Sequence, residues 1–307
     1  MPVKPQRFEV RQNMKRNTFE IFRYKDDYPK DVALHHHDFY EVYFFLSGNV
    51  HYIVESRNYL LTPGDVLLIS PMELHQPMFG ETHKAYERIV LWLDKRFLEG
   101  LSLPGQSLLT CFDANAPGHT NLLRLEGVAR QYLMFLLEQL ITEDASDDPY
   151  QEIASFTYLA QVMIWLNRAS VQQRQEELSA GPDSTVYSVL GYINDHYSED
   201  LSLDLLSNKF FVSKYHLSRE FQRLVSTSVH RYIVQKRLVM AKQMLSEGRP
   251  SSEVYQLCGF GDYSNFYRAF KSEYQMSPKD FVVRLRASSY REDVLPRRVR
   301  DENEHKK

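Results

Sequence analysis

The spacing of apolar and polar positions changes period along the chain. From about residue 18 to 93, short β-rich runs alternate with turn residues. EVYFFLSGNVHYIVES carries two such runs broken at Ser47-Gly48-Asn49, which predicts a hairpin, and YLLTPGDVLLISP breaks again at Pro63-Gly64-Asp65. Many short strands with this punctuation predict a sandwich or barrel. Beyond them, Leu122, Leu125, Val128, Ala129, Tyr132, Leu133, Leu136 and Leu140 recur at helical spacing, as do apolar positions over 150–168. This predicts a helical hairpin turning at 145–149. Its apolar content exceeds one narrow stripe, which suits one face for the β-domain and another for a second subunit; the alternative is two helices that pack only within the chain. VQQRQEELSAGPDS at 171–184 is polar, carries Gly181-Pro182, and reads as a linker.

The last third is helical in pattern and repeats itself. Segments 202–232 and 251–281 match at one fixed offset, pairing Phe211 with Phe260, Leu217 with Phe266, Arg219 with Arg268 and Phe221 with Phe270. Self-similarity of this kind marks one supersecondary unit used twice. Each copy reads as a short helix, a tight turn and a basic helix, the pattern of a helix-turn-helix. Ser202, Ser213, Ser228, Ser251, Asp262 and Ser277 are the expected N-caps, and Pro278 suits a first helical position. Between the copies, 228–246 reads as one helix spanning roughly 28 Å at ~1.5 Å per residue, close to the ~34 Å of one DNA turn.

Composition narrows the class. With 307 residues, 43% of them hydrophobic, the chain has room for two or three globular domains. No apolar run is long enough to span a bilayer, the N-terminus does not read as a signal peptide, and Cys111 and Cys258 alone make no disulfide framework. The expectation is a cytoplasmic protein with no membrane partner. The net charge of −3 is uneven: residues 1–184 hold 17 basic and 25 acidic side chains (−8), 185–287 hold 14 and 10 (+4), and 288–307 hold 6 and 5 (+1). A basic block beside an acidic one points to a polyanionic partner. The tail from about 288 is charged and expected to be disordered.

The second helix of each repeat carries the chemistry. Leu217, Phe221 and Leu224 share one face, leaving Lys214, Tyr215, Ser218, Arg219, Gln222 and Arg223 outward. Phe266, Phe270 and Tyr274 share the matching face, leaving Tyr263, Ser264, Asn265, Tyr267, Arg268 and Lys271 outward. Such faces suit the major groove, where Arg bonds guanine bidentately and Lys neutralises phosphate. No Ser-His-Asp arrangement, phosphate loop or dinucleotide fingerprint is visible, so no enzymatic activity is expected.

SxxxLSREFQRL, RLVMAKQML and CGFGDYSNFYRAFKSEYQMSPKDF together resemble the AraC/XylS family of bacterial transcription regulators over about 185–286. The resemblance implies a seven-helix DNA-binding domain with base-reading positions at Tyr215, Ser218, Arg219, Tyr263, Ser264, Tyr267 and Arg268. Lys214, Arg223 and Lys271 are then phosphate contacts. Ser226 and Gln275 stand where the family usually has Gly after each reading helix. Arg237 falls at a usual arginine of the connecting helix and is read as structural, or at most as a phosphate contact.

Upstream, His35, His37, Glu41, Gly48 and the later His75 reproduce the H-x-H-x3-E-x6-G and distal-His spacing of metal-binding cupins. The segment through LTPGDVLLISPMELHQP also resembles the ligand-sensing cupin of AraC-type regulators, whose histidines often line a metal-free pocket for a small molecule, frequently a sugar. The reading adopted is an effector pocket of His35, His37, Glu41, Tyr43 and His75 with no cofactor; a metal on His35, His37, Glu41 and His75 is the rival. Tyr52 and Trp92 offer stacking surfaces or plain core.

The expected whole is an α+β multidomain chain. It comprises a cupin jelly roll or β-sandwich over 1–120, a dimerising helical hairpin over 121–170, the linker 171–184, a double helix-turn-helix over 185–287 and the tail 288–307. The expected function is an effector-responsive activator that is a homodimer, binds a double-stranded operator and contacts RNA polymerase. The alternative is a metal-dependent cupin enzyme with an accessory DNA-binding domain.

Overall fold

The computed structural model describes residues 12–27, 32–55, 57–80, 85–114, 116, 119–177, 185–225 and 227–293. The chain divides into two compact units, one formed by 1–194 with 207–228 and the other by 195–206 with 229–307.

In the first unit, β1 (Phe19–Asp26), β7 (Tyr86–Leu93), β2 (Tyr40–Ser47), β5 (Asp65–Ile69) and β8 (Leu122–Arg124) form one sheet in that order. β4 (Arg57–Leu60), β3 (Val50–Val54) and β6 (His75–Phe79) form the second. All pairings are antiparallel, which agrees with the sandwich expectation. The turn read at Ser47-Gly48-Asn49 is present, but it is not a hairpin: β2 pairs with β5 and β7 while β3 pairs with β4 and β6, so the turn carries the chain from one sheet to the other. Gly48 has φ 136°, and a Cβ there would stand 3.3 Å from the Tyr86 ring, so two constraints select glycine.

The runs of β2, β5 and β7 are almost continuously apolar because the five-stranded sheet is covered on both faces. Side chains alternate between faces. Val42, Phe44, Val66, Leu68, Ile89 and Leu91 pack into one core with Leu133, Leu136, Leu137, Leu140, Leu159, Val162, Met163 and Leu166 of two helices, α2 (Gly127–Asp144) and α3 (Gln151–Glu177). Their neighbours Tyr43, Phe45, Leu67, Ile69, Val90 and Trp92 pack the other way, with Val50, Tyr52 and Val54 of the second sheet. A short α1 (Lys95–Leu101) is capped by Asp94, whose side chain accepts from Phe97 N.

Three expectations change here. Leu122 opens a strand rather than a helix: it pairs with Leu67, so β8 completes the sheet, and α2 starts only at Gly127. The residues 171–177, assigned to the linker, continue α3. Gln173 Nε2 donates to Leu122 O at 2.9 Å and Arg174 Nη2 to Thr110 O at 3.0 Å, fastening this turn to the domain; 178–184 lie outside the described residues. At the other end, 288–293 belong to a helix rather than a disordered tail, while 294–307 lie outside the described residues.

The remaining helices are α4 (Thr185–His196), α5 (Leu203–Lys209), α6 (Lys214–Val225), α7 (Val229–Ser246), α8 (Ser251–Leu257), α9 (Tyr263–Tyr274) and α10 (Pro278–Asp293). Helix α6 groups with the first unit, so the division crosses the segment read as one domain over 185–287. Within the second unit, Phe266 and Phe270 pack with Leu238, Ala241, Leu245, Val254, Cys258 and Phe260. Arg237 lies over the Phe260 ring and donates to Tyr197 O at 2.8 Å and Glu199 O at 2.7 Å, in keeping with a structural role.

Candidate effector pocket and nucleic-acid interface

His35, His37, Glu41 and His75 converge inside the sandwich, and all four are buried. Sequence separation is bridged by backbone pairing: His35 N donates to His75 O at 3.1 Å and His75 N returns to His35 O at 2.9 Å. The His35 and His75 rings then lie 4.3 Å apart, and those of His37 and His75 4.8 Å apart. Each histidine turns Nδ1 toward a backbone carbonyl: Ala33 O at 3.0 Å, Phe39 O at 2.8 Å and Glu73 O at 2.8 Å, respectively. Burial pushes His35 down to about 4 and His75 well below the ordinary imidazole value, with neighbouring histidines adding to both shifts.

Glu41 is held by Trp92, whose indole N–H donates to its Oε2 at 2.8 Å. Nothing in the composition or spacing pointed to this partner, yet strand register does, because Glu41 and Trp92 sit opposite each other on β2 and β7. Tyr43 stands one ring further away. Its hydroxyl bonds that of Tyr86, and its ring lies 5.0 Å from Tyr52, which in turn stacks 6.3 Å from His75. Desolvation raises both Tyr43 and Tyr52 well above the usual phenol value, so both are neutral. Tyr43, Tyr52 and Trp92 are therefore core rings: Trp92 meets the cluster through Glu41 and Tyr52 through its ring against His75, while the Tyr43 hydroxyl turns to Tyr86.

The reading helices have the opposite construction. On α6 the Leu217 and Phe221 side chains are buried, while Lys214, Tyr215, Ser218, Arg219, Gln222 and Arg223 are exposed, Tyr215 at 76%. Ser213 caps the helix, accepting from His216 N at 3.2 Å. Arg223 forks onto Glu220, with Nη2 at 2.7 Å and Nε at 3.0 Å from Oε2, and this partner holds the carboxylate below its ordinary value. Glu220 is half-buried at the flank of the outward face, and its partner Arg223 stands in solvent.

On α9 the same pattern repeats. Phe266 and Phe270 are buried, Tyr263, Ser264, Arg268 and Lys271 are exposed, and Tyr267 is half-buried. Asp262 caps the helix, accepting from Asn265 N at 2.7 Å. Arg268 donates to Asn265 Oδ1 at 2.6 Å, which holds the guanidinium along the outer face. Capping elsewhere follows expectation at Ser202 and Ser277, but α8 is capped by Pro250, with Ser251 its first residue.

A family model described as the AraC-like ligand binding domain matches residues 18–160, and one described as a helix-turn-helix domain matches 206–284. The chain belongs to the AraC/XylS family of transcription regulators. The HTH-type transcriptional activator RhaS of Escherichia coli O139:H28 is 24% identical over 254 residues, covering 81% of this chain and 87% of RhaS. Among solved structures, fatty-acid-bound ToxT from Vibrio cholerae strain SCE256 is 12% identical over 88% of this chain and 97% of that one, with a TM-score of 0.39. The C-terminal domain of the response regulator yesN from Fusobacterium nucleatum subsp. nucleatum is 29% identical over 31% of this chain and 94% of that one, with a TM-score of 0.30.

This AraC/XylS member places non-glycine residues in the left-handed region at two of its turns. Gln275, expected where Gly is usual, closes α9 in the left-handed region at φ 55°. Its counterpart Ser226 lies outside the described residues. Sequence comparison between the repeats hid a further strained residue: Phe211 sits at φ 54° and is 95% exposed. In the second copy Gly259 takes the left-handed position at φ 80°, where a Cβ would lie 2.6 Å from Ser198 O. That leaves Phe260 free to fold into the core. The two copies thus place the left-handed residue one position apart, on a glycine in the second and on a phenylalanine in the first.

Proposed function

We propose that this AraC/XylS regulator reads double-stranded operator DNA with α6 and α9 and answers a small molecule bound beside His35, His37, Glu41 and His75. The observation that supports it most is the coincidence of two matched modules with two exposed cationic faces built on one repeated core pattern. Tyr215, Ser218 and Arg219 read one major groove; Tyr263, Ser264, Tyr267 and Arg268 read the next; Lys214, Lys271 and Arg223 neutralise phosphates. The 18-residue α7, about 27 Å long, is the spacer. Effector binding shifts the population of DNA-competent forms.

The finer assignments follow from this. The regulator is an activator that contacts RNA polymerase, acts in the cytoplasm and catalyses no reaction. No helix among the described residues is long and apolar enough to cross a membrane. It works as a homodimer through the outer face of α2 and α3, where Val128, Phe135, Ile153 and Ile164 are exposed. Such large apolar groups at helical spacing favour a covering partner.

The test is binding of the full chain to DNA from its own promoter region, with random DNA as competitor at fixed salt. Sequence-preferring binding that changes when a cognate small molecule is added supports the proposal. Affinity equal for promoter and random DNA overturns it.

A further inference from the structure

We infer that His37, Glu41 and His75 form a binding site for a divalent transition-metal ion, with His35 at its edge. This deepens the reading of the pocket as a ligand site and rests on it. The argument starts from proton positions. A backbone carbonyl only accepts, so a ring nitrogen facing one must carry the hydrogen. Nδ1 of His35, His37 and His75 each face a carbonyl. In the neutral rings Nε2 is then a lone pair, and three are fixed in that state by main-chain geometry. Metal-bound histidines are oriented by this same outer bond.

What the Nε2 atoms meet decides the matter. His37 Nε2 lies 3.3 Å from Glu41 Oε2. Two acceptors at that distance repel unless a cation stands between them. His75 Nε2 is fully buried with no hydrogen-bond partner, and His37 Nε2 likewise has no donor. A proton on His37 relieves the contact with Glu41 but leaves His75 Nε2 unsatisfied, a rare state for a buried polar atom. One ion satisfies all three groups. Their ligand atoms lie within 4.8 Å of one another, the sole such group among the described residues. Bonds of about 2.0–2.2 Å need the three donors to draw in around one ion, and their present spacing puts them within reach of it.

The donors also indicate the ion. Imidazole nitrogen with a carboxylate, and no thiolate, suits zinc, cobalt, nickel or ferrous iron rather than calcium or magnesium. Trp92 N–H on Glu41 fixes the carboxylate as the carbonyls fix the rings. Three protein donors leave at least one coordination position open. Oxygen atoms of a small effector can fill it, which makes the ion part of the sensing surface.

The full-length protein, stripped with chelator, is titrated with Co²⁺ and then Zn²⁺. The expected result is one Co²⁺ per chain, visible absorption bands of nitrogen-ligated cobalt, their loss on adding Zn²⁺, and a raised melting temperature. His75→Ala abolishes the bands, and Trp92→Phe, which keeps every ligand, weakens Co²⁺ by about 10–100-fold. Circular dichroism of the metal-free variants reports folding; if His75→Ala fails to fold, Trp92→Phe carries the test. Absence of cobalt bands in the wild type, or bands unchanged in every folded pocket variant, overturns the site. Arg268→Ala separates the two claims, since it is expected to lose base discrimination and keep stoichiometric cobalt. Metal binding without sequence-preferring DNA binding sinks the regulator reading alone; effector-responsive DNA binding without metal sinks the metal site alone.

Discussion

The histidine pocket and the two reading helices use polar side chains in opposite settings. In the pocket, His37, Glu41 and His75 are buried, and each is oriented by a backbone or indole partner. On α6 and α9 most of the polar side chains stand in solvent, and Arg223 and Arg268 bond neighbours on their own helices, Glu220 and Asn265. Chemistry and folding are therefore coupled in the first region and separable in the second. A pocket substitution disturbs stability and ligand together, whereas a reading-face substitution changes recognition on an intact fold.

The contrast is sharpest at the sheet beneath the pocket. Phe44→Ala is expected to cost about 3–5 kcal/mol in urea unfolding, because Phe44 is fully buried against the α2–α3 face. A loss typical of a surface site would deny that the sheet is covered on both sides. Next, Trp92→Phe removes the indole N–H from the buried Glu41 carboxylate and is expected to cost roughly 1–3 kcal/mol. By contrast, Arg219→Ala and Arg268→Ala should leave stability within about 0.5 kcal/mol of wild type. Both should still lose roughly 1–3 kcal/mol of discrimination at one base each in competitive binding. A large stability loss in either would erase the distinction between the regions.

Acid should also act on the β-rich unit, at a buried histidine outside the pocket. His119 is buried and pushed down to about 4, chiefly by desolvation and then by Arg174. The unfolded chain takes up that proton near pH 6.5 and the folded one only near 4. The stabilisation is thus complete above pH 6.5 and declines as the pH falls toward 4. His119→Gln should flatten that part of the stability-pH curve; an unchanged slope would refute the assignment. The smallest effect is at the α9 terminus, where Gln275→Gly relieves a left-handed residue and should add about 0.5–1 kcal/mol to thermal stability.

Features set by neighbouring residues were the legible ones. The Ser47-Gly48-Asn49 turn, the caps at Ser202, Ser213, Asp262 and Ser277, and the buried Phe266 and Phe270 all follow from local spacing. Features set by distant partners were not. Leu122–Arg124 is apolar enough for either element and becomes a strand because β5 lies beside it. Residues 171–177 are polar, yet their Gln, Arg and Glu favour a helix, and Gln173 and Arg174 anchor it. The four residues gathered in the pocket were named from their spacing, but Trp92, which orients Glu41, emerges only from cross-strand register.

The most direct test of the central claim is a selection of binding sites from random duplexes by the wild type, Arg219→Ala and Arg268→Ala. The account predicts two preferred base clusters about 10 base pairs apart, with Arg219→Ala relaxing one and Arg268→Ala the other. A single cluster, or both variants selecting the wild-type sequence unchanged, would contradict it.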